Sequence, residues 1–115
     1  MNTIVKAFQP SGILDSIRGN QLRKEITSAV ETGVDIVLVD LQDITFMNSA
    51  GLGTLLAALR MVRTTGARIF ICSVSEPVKM VFEITKMERV FQVFNSRDEF
   101  KSAILSPECM FFEHN

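Results

Sequence analysis

Few residues in this chain have the type and spacing to do chemistry. Asp40 ends the apolar run Val34-Asp35-Ile36-Val37-Leu38-Val39, and Asp43 follows three residues later. An acid at the end of a buried strand could accept a phosphoryl group, a reaction that needs Mg²⁺ and hence several oxygen ligands. The expected companions are missing. Gln9-Pro10-Ser11 stands where an acidic pair would follow the first strand, and no lysine closes the apolar run from Arg68 to Val74. Asp40 therefore reads as a strand-end acid or turn acceptor. Gly51-Leu52-Gly53 follows a strand and opens a helix, but Leu56 occupies the third glycine position of a dinucleotide loop, and no lysine follows in the phosphate-loop arrangement. Cys109 and His114 offer two of the four ligands of a structural zinc, and Cys72 and Cys109 form no CxxC pair. Asp40 and Asp43 have no apparent apolar pocket to separate their acidities. The chain reads as catalytically silent, with no metal or cofactor site.

One hydroxyl stands out. Ser49, in Phe46-Met47-Asn48-Ser49-Ala50-Gly51-Leu52-Gly53, falls at or beside the N-cap of a helix, where it would face the solvent edge of a sheet. The small residues Ala50, Gly51 and Gly53 leave it unobstructed, so that another protein could approach the backbone.

The elements that would position this hydroxyl follow from periodicity. Thr3 to Phe8 reads as a strand closed by Gln9-Pro10-Ser11-Gly12. Leu22, Ile26 and Val30 mark a one-sided helix from about Ile17 to Glu31, stopped near Gly33. Val34 to Leu41 is apolar on both alternating faces, as in the middle of a covered sheet. A turn through Gln42-Asp43 leads to a helix from Ser49 to Arg63 with Leu52, Leu55, Leu56, Leu59 and Val62 on one stripe. Arg68 to Val74 is a second buried strand, and Ser75-Glu76-Pro77 opens a helix bearing Val78, Val81 and Phe82. Val90 to Phe94 reads as a last short strand. Ser96-Arg97-Asp98-Glu99 has the pattern of a capping box before Phe100, Ala103 and Ile104. Strands and helices in alternation predict an α/β fold with a mostly parallel four-stranded sheet, in one domain over residues 1–115. The tail from about residue 107 is unassigned; packing by Met110, Phe111 and Phe112 is its favoured role.

Composition narrows the function. Among 115 residues, 12 basic balance 13 acidic ones, which argues against electrostatic capture of nucleic acid or an anionic membrane. No apolar stretch approaches the roughly 20 residues needed to span a bilayer, and the amino-terminal residues lack an export signal, so a cytoplasmic protein with free thiols is expected.

The segment Asp43-Ile44-Thr45-Phe46-Met47-Asn48-Ser49-Ala50-Gly51-Leu52-Gly53 resembles the phosphorylation motif of STAS domains, and more narrowly that of bacterial anti-sigma-factor antagonists. The likeness extends from Gly12-Ile13-Leu14-Asp15 through the Val34 to Leu41 strand to Ser75-Glu76-Pro77-Val78-Lys79 and Phe82. It implies a STAS-like domain that an anti-sigma serine kinase grips and phosphorylates at Ser49, and that a PP2C-type phosphatase restores. Asp15, Asn48, Ser49, Ala50, Gly51 and Gly53 would form the partner interface. The unphosphorylated form would hold the anti-sigma factor and free its sigma factor. Two positions depart from the motif, which commonly has Asp before the acceptor and Ser or Thr after it; here these are Asn48 and Ala50. Asn48 motivates an alternative, an unphosphorylated STAS scaffold or accessory subunit that binds a protein, a transporter component or a nucleotide. The leading strand of many relatives is absent or reduced, which implies a less protected sheet edge. A monomer is expected, with a weak dimer as what that edge would allow.

Overall fold

The computed structural model describes residues 3–105 and 109–114. The order of elements is β1 (Ile4–Phe8), β2 (Gly12–Leu14), α1 (Ser16–Glu31), β3 (Ile36–Asp40), β4 (Ile44–Met47), α2 (Ser49–Thr64), β5 (Arg68–Cys72), α3 (Glu76–Thr85), β6 (Val93–Phe94), α4 (Arg97–Ile104) and β7 (Met110–His114), with a 3₁₀ turn at Met87–Arg89.

The α/β reading holds, but among the described residues the strands number seven rather than four. Five form one parallel sheet in the order β6-β5-β3-β1-β7, and β2 and β4 form a separate parallel ribbon. β3 lies at the centre and is buried at all five residues, which is why its sequence is apolar on both faces. β5 ends two residues earlier than expected, because Ser73 takes a left-handed backbone with φ 59°.

The direction of travel across the sheet decides which face each helix covers. The chain moves from β1 to β3 to β5 to β6 in one direction, so right-handed crossovers put α1, α2 and α3 on one face. It then returns from β6 to β7 at the opposite edge, and the same handedness sends α4 across the other face. Two apolar clusters record this division. Val37, Val39, Ile69 and Ile71 pack with Leu22, Ile26, Leu55, Leu59, Val78 and Phe82 from the first three helices. The alternate residues Ile36, Leu38, Phe70 and Cys72 pack with Phe100 of α4 and Phe111 of β7.

Three further expectations change. β7 pairs with β1 from Ile4↔Met110 to Phe8↔His114, so the edge expected to be less protected is occupied by the chain's own tail. Phe111 packs inward while Phe112 is half-exposed. The segment Gln9 to Gly12 is not wholly a turn, since Gly12 begins β2. The last strand before α4 is only Val93–Phe94, because Val90 closes the 3₁₀ turn. At α4 the Ser96 hydroxyl accepts from the Glu99 N–H at 3.0 Å, the serine half of the predicted box. Among the described residues no helix is long and apolar enough to cross a membrane.

Candidate functional site

The ribbon of β2 and β4 builds the site. Its register pairs Ile13 with Phe46 and Leu14 with Met47, so the residues that follow, Asp15-Ser16 and Asn48-Ser49, leave the same end of the ribbon and begin α1 and α2. The inner faces of Leu14, Ile44 and Met47 are buried. Two helix N-termini therefore meet at one place, each with its partial positive charge and unpaired N–H groups.

Each terminus has its own cap. Asp15 accepts from the Arg18 N–H at 2.9 Å, and Asn48 Oδ1 accepts from the Gly51 N–H at 2.8 Å. Ser49, expected at or beside the cap, is the first residue inside α2, and it is exposed. Because Asn48 caps the helix, the Ser49 hydroxyl is not needed for that purpose.

The small residues beside Ser49 divide into two kinds. Ala50 and Gly53 are exposed, and nothing lies within 4 Å of a Cβ added at Gly53. Gly51 is buried: an added Cβ would lie 1.9 Å from the Leu14 carbonyl oxygen. That carbonyl also accepts from the Asn48 N–H at 3.3 Å. Gly51 thus lets α2 rest on β2, and it is buried where Ala50 and Gly53 are exposed. A similar close approach joins α1 to α2, where a Cβ on Gly19 would meet Thr54 Oγ1 at 1.8 Å. Thr54 is turned inward and donates to the Gly51 carbonyl at 2.7 Å. Thr45, by contrast, is exposed.

Sequence reasoning missed the apolar part of this surface. Ile13 and Phe46, register partners on the ribbon's outer face, are 51% and 49% exposed, and Ile17 on the first turn of α1 is 77% exposed. The signal was present in the alternation Ile13-Leu14 and Phe46-Met47, whose apolar residues cannot all face one core. Ser16, the first residue of α1, is a second exposed hydroxyl in the same helical position as Ser49.

The other candidates lie elsewhere. Asp40 is 1% exposed, accepts from the Gln42 N–H at 3.0 Å and pairs with Arg97 Nε at 2.6 Å; it is the turn acceptor expected, and no phosphoryl donor can reach it. Cys72, its neighbour across β3 and β5, is fully buried, and that burial pushes its thiol up to about 11, assisted by the nearby Asp40 charge. It is a packing residue rather than a nucleophile. Cys109 packs at the second apolar cluster, and the His114 side chain lies outside what the structure describes.

A two-stranded ribbon feeding two helix N-termini, set beside a parallel sheet with helices on both faces, defines a class of α/β domain. The STAS domain family matches residues 2–100, and the chain belongs to that family. A Bordetella bronchiseptica protein provisionally named anti-sigma factor antagonist BtrV is 31% identical over 97 residues, covering 81% of this chain and 84% of its own. The unphosphorylated anti-sigma factor antagonist SpoIIAA shares the fold with a TM-score of 0.69 at 20% identity, covering 85% of this chain and 88% of its own. The phosphorylated form of Bacillus SpoIIAA does so with a TM-score of 0.62 at 21% identity, covering 83% and 86%.

Proposed function

We propose that this chain is an anti-sigma-factor antagonist whose hold on its partner is switched at Ser49. The supporting observation is the exposed Ser49 hydroxyl at the rim of the Ile13 and Phe46 patch, on a helix that another residue already caps. In the unphosphorylated state the outer face of the ribbon, with Asp15, Asn48, Ala50 and Gly53, docks on an anti-sigma serine kinase in the cytoplasm and releases the sigma factor. Phosphorylation ends the contact, and a PP2C-type phosphatase restores it. The BtrV relative and the two forms of SpoIIAA support this reading by name.

A phosphate brings roughly −1.5 to −2 charge to a surface whose centre is apolar and neutral, so docking would have to desolvate that charge. The same phosphate sits at a helix N-terminus, which favours an exposed anion by about 0.3–1 kcal/mol. The switch therefore acts on binding and spares the fold. Asn48 adds no carboxylate beside the phosphate, and Ala50 offers no competing hydroxyl.

The test is incubation with the anti-sigma serine kinase of the source organism and ATP. One phosphate is expected on the wild type, on Ser16→Ala and on Thr45→Ala, and none on Ser49→Ala; equal labelling of Ser49→Ala would overturn the assignment. Ser49→Asp is expected to weaken kinase binding by about tenfold or more with an unchanged melting temperature. Equal affinity of the two forms would remove the charge mechanism.

A further inference from the structure

We infer that Arg97 is a positioning residue for the docking ribbon, acting through Gln9 and Asp43. Three segments distant in sequence meet at the carboxyl end of the sheet. Arg97, the first residue of α4, places Nε 2.6 Å from Oδ2 of Asp40 and donates from Nη2 to Oε1 of Gln9 at 2.6 Å. Gln9, directly after β1, donates from Nε2 to Oδ2 of Asp43 at 2.8 Å. The main-chain carbonyl of Asp43 accepts from the Gly12 N–H at 3.0 Å, at the start of the ribbon. The series runs unbroken from the buried sheet to the element that carries Ile13 and Phe46 and feeds Ser49 into α2.

Two considerations make this an alignment device rather than a source of stability. Asp40 is the one buried charged side chain among the described residues. An ion pair in such a place gives little net stability compared with apolar residues of the same shape, but it imposes one geometry. The ribbon in turn needs an outside tie, because two strands of three and four residues, with a register shift between Gly12 and Ile13, hold poorly alone. The Ser75 hydroxyl fastens one side by donating to the Ile44 carbonyl at 3.0 Å. Arg97 and Gln9 fasten the other. The guanidinium can do this because its fork reaches Asp40 and Gln9 together; a lysine ammonium would keep the charge on Asp40 and lose the second arm.

The functional half of this inference rests on the docking reading, whereas the mechanical half does not, so the experiment reads both. Amide hydrogen exchange is measured on the wild type, Arg97→Lys and Gln9→Ala, together with the melting temperature. Both variants are expected to exchange about tenfold faster at Gly12 and Asn48 with β3 unchanged and the melting temperature within a few degrees. With the kinase that labels the wild type, both should raise KM for Ser49 phosphorylation and leave kcat unchanged. Unaltered exchange at Gly12 and Asn48 in both variants overturns the inference, whatever the phosphorylation result. If Arg97→Lys fails to fold, Gln9→Ala decides, because it touches no buried charge. Faster exchange with unchanged KM retains Arg97 as the ribbon's tie and removes the ribbon from kinase recognition, which is a failure of the docking reading alone.

Discussion

The five-stranded sheet and the two-stranded ribbon use the same parallel pairing and serve opposite ends. In the sheet, helices cover both faces, and β3 has no exposed residue. In the ribbon only one face is covered, and β4 runs from buried Ile44 through exposed Thr45 and Phe46, at the register shift, to buried Met47. Complete coverage makes an element stable and chemically mute. Half coverage leaves apolar side chains, hydroxyls and helix ends where another molecule can meet them.

That contrast can be broken first at its two extremes. Leu38→Ala, in the fully buried strand, is expected to cost about 2–5 kcal/mol, whereas Phe46→Ala should change stability by no more than about 0.5 kcal/mol while weakening kinase binding. Urea unfolding and a binding titration on the two variants separate these effects. Similar losses of stability in both would mean that the outer face of the ribbon is not free.

Two glycines two residues apart sharpen the comparison. Gly51→Ala drives a Cβ into the Leu14 carbonyl and should destabilise by about 1–3 kcal/mol, since backbone rather than a flexible side chain must give way. Gly53→Ala meets nothing and should stabilise α2 by about 0.5–1 kcal/mol. Opposite signs in thermal unfolding are the expected result. A change of similar size is expected for Asn48→Ala, a loss of about 1 kcal/mol with the cap, with Asn48→Asp restoring most of it.

The last effect lies in the sheet and is confined to alkaline pH. Burial raises the Cys72 thiol from 9.0 to about 11, so the folded chain holds this proton to a higher pH than the unfolded chain does. The resulting stabilisation is complete below pH 9 and is lost as the pH rises through about 11. Cys72→Val should flatten that part of the stability profile, and the absence of tyrosine keeps phenolic titrations out of the window. An identical decline in the variant would show that the thiol does not contribute.

Legibility followed coverage. β3 and α2 could be read directly, because a strand buried on both sides and a helix with one apolar stripe leave unambiguous periods. The ribbon could not, since its strands are shorter than one reliable period and a register shift interrupts them. Ser49 was readable as a residue near a cap, but the division between buried Gly51 and exposed Gly53 required the position of Leu14. Arg97 read only as part of a helix start, because Asp40 lies 57 residues earlier. β7 was hidden for a similar reason: its partner is β1, at the other end of the chain.

β7 also lies beyond the residues that match the STAS family, yet it supplies one whole flank of the sheet. A version trimmed after Ile104 would retain every feature by which the family is known and would bare the hydrogen-bonding side of Ile4 to Phe8. Molecules shortened in this way are expected to pair through the newly open side of β1 more readily than the full chain, whose outer strand at that flank is β7.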